Sequence, residues 1–140
     1  MVVLDSDHMS LLERGGEEGR RIWSRIRMLP PDDISTTIIS FEEQARGWLA
    51  RIARATTSER QISDYGELKK LLHTYCNIGV LEFDRKAVEV YERLKSDKIR
   101  IGTMDLKISA IAISNNAVLL TRNKQDFSRI SDLNFEDWSV

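Results

Sequence analysis

A chain of 140 residues, 41% hydrophobic and 31% charged, holds material for one packed domain rather than two and is too apolar to stay disordered. Its 21 basic and 22 acidic residues leave a formal net charge of −1, which excludes a global basic field, so any nucleic-acid binding has to rest on local patches or bound cations. A single cysteine, Cys76, excludes an internal disulfide and suits a reducing cytoplasm, and its expected role is a small packed residue; no apolar run approaches the ~20 residues of a membrane span, and the opening MVVLDSDHMS does not read as a secretion signal.

Val2-Val3-Leu4 is a short apolar run that stops at Asp5-Ser6-Asp7, which predicts a buried strand with polar groups at its carboxyl end. His8 to Arg14 predicts a short helix closed by Gly15-Gly16, and Glu17 to Met28 a second, broken by Pro30-Pro31. The β-branched run Ile34 to Ile38 predicts the next strand. Ser40, with Glu43 three residues on, has the pattern of a capping box opening a long helix through Trp48 and Ile52. Thr57-Ser58 marks a pause before a helix over Glu59 to Tyr75, so residues 40–77 predict a helical hairpin. Gly79 to Phe83 reads as a strand, Asp84 as the cap of a helix over Arg85 to Lys95, and the segment from Asp105 to Ile113 as a helix apolar nearly all round, hence central and buried. Ala117 to Leu120 predicts a strand, Asp126-Phe127 a short helical turn, and Phe135 to Trp138 an edge strand. Strands alternating with helices predict an α/β sandwich with a mostly parallel sheet of four to five strands over residues 1–140, in which sites lie beyond the carboxyl ends of the strands.

Acidic residues collect at those ends. Asp5 follows the first strand, Glu43 lies early in the helix after the second, Asp105 opens the buried helix, and Asp126 follows the fourth strand. Several carboxylates in one pocket repel one another and raise one another's pKa, a cost that a divalent cation relieves. Oxygen donors suit Mg²⁺ or Mn²⁺ rather than zinc, and such a cation activates water against a phosphodiester. Each residue also has a structural alternative: Asp5 as a strand end, Asp7 as a helix cap, Glu43 as the capping-box partner of Ser40, Asp105 as a helix-dipole partner and Asp126 as a surface cap.

Taken together, the stretches LDSDHMS, TTIISFEEQARGW, IGTMDLKISAIAIS and LLTRNKQDFSRISDLNFEDW resemble, in order and spacing from residue 2 to residue 138, the VapC-like PIN-domain toxins of toxin–antitoxin pairs. The placing of Glu43 four residues before Gly47 selects it over Glu42. The resemblance implies a three-layer PIN-like α/β/α sandwich and a Mg²⁺- or Mn²⁺-dependent endoribonuclease. Asp5, Glu43, Asp105 and Asp126 would then be the acidic catalytic set, with Asp5 and Asp105 as direct metal ligands. It also implies a VapB-like antitoxin, an RNA substrate (transfer RNA among the options), a homodimer and no membrane. Many relatives carry Asp where this chain has Asn123, so that either Asp126 substitutes as the fourth carboxylate or Asn123 serves as a neutral ligand or water-orienting group, and many carry Asn where it has Asp7.

Asp7, Thr121 and Asn123 are candidates for the shell around the ligands; for Asp7 the helix-capping role is preferred. Arg46, Arg51, Arg54, Arg122 and Lys124 are candidates for RNA phosphates or acidic antitoxin residues, against the alternative of a solvated face. Trp23, Trp48 and Trp138 read as core or dimer-face residues. His8 reads as a helix-surface residue, with a general-base role as the alternative. Two rivals fit less of the pattern. One is a haloacid-dehalogenase-type phosphatase built on Asp5-Ser6-Asp7, which leaves Glu43 without a task; the other is a non-catalytic RNA- or protein-binding PIN domain with a depleted site.

Overall fold

Alternation along the short strands decides which face of the sheet each side chain serves. In the computed structural model, which describes residues 1–140, five strands form one parallel sheet in the order β3-β2-β1-β4-β5. They are β1 (Val2–Leu4), β2 (Ile34–Thr37), β3 (Gly79–Leu81), β4 (Val118–Leu120) and β5 (Phe135–Glu136). The seven helices are α1 (Ser6–Arg14), α2 (Glu17–Ile26), α3 (Ile38–Arg54), α4 (Ser58–Cys76), α5 (Arg85–Ser96), α6 (Thr103–Ser114) and α7 (Lys124–Phe127). Val3 and its partner Leu119 point to one face and pack with Ala87 and Leu94 of α5 and with Ile108 and Ile111 of α6. Leu4 and its partner Leu120 point to the other and pack with Met9 and Leu11 of α1, Ile22 and Ile26 of α2, and Leu71 and Tyr75 of α4. Both faces of β1 and β4 are therefore apolar, as a parallel sheet covered on both sides requires, and the result is the three-layer α/β/α sandwich expected. Helix α6 buries Leu106, Ile108, Ser109, Ala110, Ile111 and Ala112, which accounts for its lack of a polar face. Burying one such isoleucine contributes on the order of 2 kcal/mol.

Chain reversals carry their own chemistry. Gly15 ends α1 in the left-handed region (φ 68°) and donates its N–H to the Leu11 carbonyl. Gly19 of α2 then lies so close to α1 that a Cβ there would run into the Leu11 carbonyl oxygen. Helices α3 and α4 are tied to α1 by a chain of polar contacts: Tyr75 Oη donates to Gln44 Oε1, and Gln44 Nε2 donates to Ser10 Oγ at 3.0 Å.

Several boundaries differ from expectation. Strand β2 stops at Thr37, whose Oγ1 accepts the Ser40 N–H at 3.0 Å and caps α3; Ser40 is buried in the first turn, and the Ser40–Glu43 capping box does not form. The Thr37 hydroxyl reaches the free amides first, and Ile38, 44% exposed, gains nothing by continuing the strand. Strand β3 ends at Leu81 rather than Phe83, and β5 at Glu136. Trp23 is exposed, which removes the core role and leaves the dimer-face one open, whereas Trp48 packs partly and Trp138 is buried. Cys76 ends α4 and is exposed, not packed. No helix is long and apolar enough to cross a membrane.

Strand order places a reversal point at the centre of the sheet. From β1 the chain winds outward to β2 and β3, then returns to β4 on the other side of β1. The carboxyl ends of β1 and β4 thus border the crevice where such sheets bind ligands.

Candidate active site

Asp5 leaves β1 at that crevice. Its backbone N–H still donates to the Leu120 carbonyl (3.1 Å), and its carboxylate Oδ1 accepts the His8 N–H at 2.8 Å, capping α1. The cap expected from Asp7 is therefore supplied by Asp5, because Asp5 holds the extended φ/ψ that a capping residue needs and Asp7 already lies inside the helix. Only Oδ1 is engaged, and the side chain is nearly buried.

Three further carboxylates arrive from separate parts of the chain. Glu43 comes from the second turn of α3, and its Oε1 accepts the Ser6 hydroxyl at 2.6 Å, which links α3 to the start of α1. Asp105 sits in the first turn of α6; its carbonyl accepts the Ser109 hydroxyl at 2.8 Å, while its carboxylate accepts no hydrogen bond from the protein. Asp126 sits in α7, where Asn123 Nδ2 donates to its Oδ2 at 3.0 Å. Burial, then the negative charges of Glu43, Asp5 and Asp126, push the Asp105 pKa from 3.8 up to about 6. A helix N-terminus pulls a carboxyl the other way, so desolvation and crowding of like charge outweigh the dipole here. The negative charges of Asp5, Glu43 and Asp126 thus all bear on Asp105.

The flanking residues have more definite partners than the sequence suggested. Asp7 is gripped by Arg122, whose Nε and Nη2 donate to its two oxygens at 2.5 and 2.9 Å, with Glu18 3.6 Å from the same guanidinium. Thr121 is fully buried, and its hydroxyl accepts the Asn123 N–H at 3.0 Å; it turns the chain after β4 and faces no open phosphate position. Asn123 caps α7 through Oδ1 while its amide holds Asp126, so its side chain is spent on orienting that carboxylate. Lys124 begins α7, and its charge acts on Asp137. His8, expected on the helix surface, is wholly buried; its Nε2 accepts the Trp138 N–H at 3.3 Å and its Nδ1 lies 3.6 Å from Asp5 Oδ1. No spacing rule flags it, since its partners stand at residue 5 and at the far C-terminal end. Asp137 approaches the same ring at 3.8 Å. Burial raises the Asp137 carboxyl, but hydrogen bonds from the Ser139 hydroxyl and amide and the neighbouring His8 ring and Lys124 ammonium outweigh it, and the net direction is downward.

One ligand atom each of Asp5, Asp7 and His8 falls within 4.8 Å of the others, and neither Glu43 nor Asp105 belongs to a group of three that tight. Donor chemistry still favours a hard cation at the carboxylates: the Asp5 Oδ2, the Asp105 carboxylate and the free Glu43 oxygen accept nothing from the protein, and the negative charges of Glu43, Asp5 and Asp126 add to burial in raising the Asp105 pKa, a contribution that a divalent cation relieves.

A groove of about 1300 Å³ runs from Ser6, Asp7 and Glu43 between α1, α3 and α4. Arg51 and Arg54 line it together with Lys70. Arg51 stacks over Trp48 at 4.9 Å and stands 3.8 Å from Asp64, whereas Arg54 has no acidic partner. Arg46 does not line the groove; it pairs with Glu42, one turn back on the same helix.

Comparison with known proteins agrees with this architecture. The chain is similar to Ribonuclease VapC1 of Haemophilus influenzae strain R2866, 48% identical over 46 residues, which is 33% of this chain and 34% of that protein. It is also similar to Ribonuclease VapC2 of Rickettsia felis, 35% identical over 65 residues, or 44% of this chain and 48% of that one. The matched segments thus span between a third and a half of these relatives. The structure of VapBC-1 from nontypeable Haemophilus influenzae superposes over the full length of both chains with a TM-score of 0.76 at 26% identity. The PIN domain family model matches residues 2–133, and the chain belongs to that family, its likeness within it being to the VapC proteins.

Proposed function

We propose that this single-domain chain is the toxin of a toxin–antitoxin pair, an endoribonuclease that hydrolyses RNA phosphodiesters with Mg²⁺ or Mn²⁺. The observation that carries this reading is the gathering of Glu43, Asp5 and Asp126 around Asp105, whose pKa is raised to about 6 by burial first and by their negative charges second. In this reading Asp5 and Asp105 hold the cation, and Glu43 and Asp126 complete the acidic set. A bound cation supplies activation of water and neutralisation of charge developing on the phosphate. The chain's own residues do the rest. Ser6 keeps the Glu43 carboxylate turned toward the site, and Asn123 does the same for Asp126. Arg51 and Arg54 line the groove that Glu43 also lines and take the phosphates of a single strand as charge-assisted hydrogen-bond donors. The reading carries with it a VapB-like antitoxin as partner, in keeping with the VapBC-1 structure of similar fold, and also transfer RNA among the substrates, a homodimer and a cytoplasmic setting.

The phosphatase alternative is set aside. It needs Asp7 free as a general acid, and Asp7 is locked by Arg122. The non-catalytic alternative rested on Asn123, whose cap and grip on Asp126 give it a task in an intact acidic set.

The test is cleavage of RNA by protein purified free of any antitoxin, with Mn²⁺ and with chelator, and with Asp5→Asn as control. Cleavage that needs the cation and is lost in the variant is expected; cleavage that persists with Asp5→Asn overturns the assignment.

A further inference from the structure

We propose that His8 is a positioning residue which, held by the C-terminal segment Asp137–Ser139, fixes the Asp5 carboxylate so that Oδ2 is the oxygen presented to a cation. The inference rests on the cation-site reading above.

Hydrogen-bond accounting carries the argument. The His8 ring is wholly buried, and its Nε2 accepts the Trp138 backbone N–H at 3.3 Å. A ring nitrogen that accepts keeps its lone pair, so in the neutral ring the proton sits on Nδ1. That same Nδ1 is the buried side-chain polar atom of the protein without a partner. An unpaired buried donor costs about 1–3 kcal/mol, and its persistence calls for a reason. Its nearest acceptor is Asp5 Oδ1 at 3.6 Å, just beyond hydrogen-bond range, and Oδ1 already receives the His8 backbone N–H at 2.8 Å. Both donors of one residue thus converge on one oxygen of Asp5, and a slight rotation of the carboxyl group completes the second bond while leaving Oδ2 free. The same protonation removes His8 from the ligand set, although its ring lies close to Asp5 and Asp7.

The C-terminal segment is built to hold that tautomer. Arg21 Nη1 donates to the Ser139 carbonyl at 3.1 Å, the Arg25 guanidinium lies 4.3 Å over the Trp138 ring, and the Trp138 indole donates to Glu136 at 2.6 Å. Asp137 Oδ1 faces the same Nε2 at 3.8 Å, beyond hydrogen-bond range, and its bonds go to Ser139, whose amide and hydroxyl donate to it at 2.9 and 2.6 Å. Residues from the two ends of the chain therefore meet at one imidazole behind Asp5.

The experiment compares His8→Asn, His8→Gln and His8→Leu in antitoxin-free protein. An asparagine amide places a donor where Nδ1 stands, a glutamine carbonyl places an acceptor where Nε2 stands, and leucine supplies neither. Mn²⁺ affinity by calorimetric titration is the readout, with apo melting temperature alongside. The expectation is that Gln and Leu weaken Mn²⁺ binding about 10- to 100-fold while Asn stays within about threefold of wild type, as second-shell orientation of a ligand implies. Equal affinities for Asn and Gln overturn the proposal, because both lose packing alike. Wild type binding Mn²⁺ no better than Asp5→Asn overturns the cation-site reading itself, which is a different outcome. If the variants do not fold, the long-range proton–nitrogen spectrum of wild-type His8 decides: the Nδ1–H form is expected, and the Nε2–H form overturns it.

Discussion

The Ser6 hydroxyl donates to Glu43 Oε1 at 2.6 Å, joining the first residue of α1 to the second turn of α3 across 37 positions of sequence. Glu43 is half-buried beside other carboxylates, and this bond is what selects its orientation. Ser6→Ala leaves the fold intact, within about 1 kcal/mol, since a part-buried hydrogen bond contributes about that much. Mn²⁺ affinity falls about tenfold, because an orienting partner is lost. Thermal melts and metal titration on the same preparation check both halves.

Asp105 predicts a pH dependence of definite sign. Its pKa is 3.8 when unfolded and about 6 when folded, so the folded protein binds this proton more tightly. Stability from this group is greatest below about pH 4, falls between about pH 4 and 6, and is constant and lower above that range. Asp105→Asn removes the penalty. Its stability advantage over wild type grows through that window to about 1–2 kcal/mol, after allowance for solvent screening of a half-buried group. Chemical denaturation of both proteins at a series of pH values, without divalent cation, checks it. Added Mn²⁺ then raises the wild-type melting temperature and leaves the variant unmoved.

How much of this was legible beforehand follows from the range of the interactions involved. Asp5, Glu43 and Asp126 were legible because a parallel sheet gathers the residues that follow its strands, whereas Asp105 reaches them from the start of α6, the helix that leads into β4. The all-apolar pattern of α6 likewise foretold its burial. Capping was misread at Ser40 and at Asp7 because cap choice turns on which side chain meets the free amides first, a matter of one residue in backbone conformation that Thr37 and Asp5 settled. His8 and Arg122 were illegible for a different reason. Their partners lie 130 and 115 residues away in the chain, and nothing local distinguishes a buried histidine or an engaged arginine from solvated ones.

The α1–α2 corner offers a test of packing alone. Gly19→Ala drives a methyl group into the Leu11 carbonyl, and backbone gives way less easily than a side chain. The expected loss is about 1–3 kcal/mol, with α2 displaced from α1. The same change at Gly47, which has open space around its Cβ position, is neutral or slightly stabilising because alanine favours helix. Paired melts of the two variants separate close approach from helix propensity; equal losses would contradict the packing account.

Arginines on one helix divide into two kinds, and RNA binding should follow the division. Arg54 lines the groove with no acidic partner, Arg51 lines it while stacked on Trp48, and Arg46 is turned aside to Glu42. A guanidinium that releases a counterion from a phosphate contributes to the salt dependence of binding, about 0.7 in the log–log slope for single strands. Arg54→Ala therefore weakens binding of a catalytically inert variant, Asp5→Asn, to single-stranded RNA several-fold for all sequences, and flattens the slope by close to that amount. Arg51→Ala weakens it less cleanly, since Asp64 loses its neighbour at the same time. Arg46→Ala changes neither affinity nor slope. Fluorescence anisotropy at several salt concentrations measures all three, and a loss at Arg46 equal to that at Arg54 would mean that RNA follows the outer face of α3 instead of the groove.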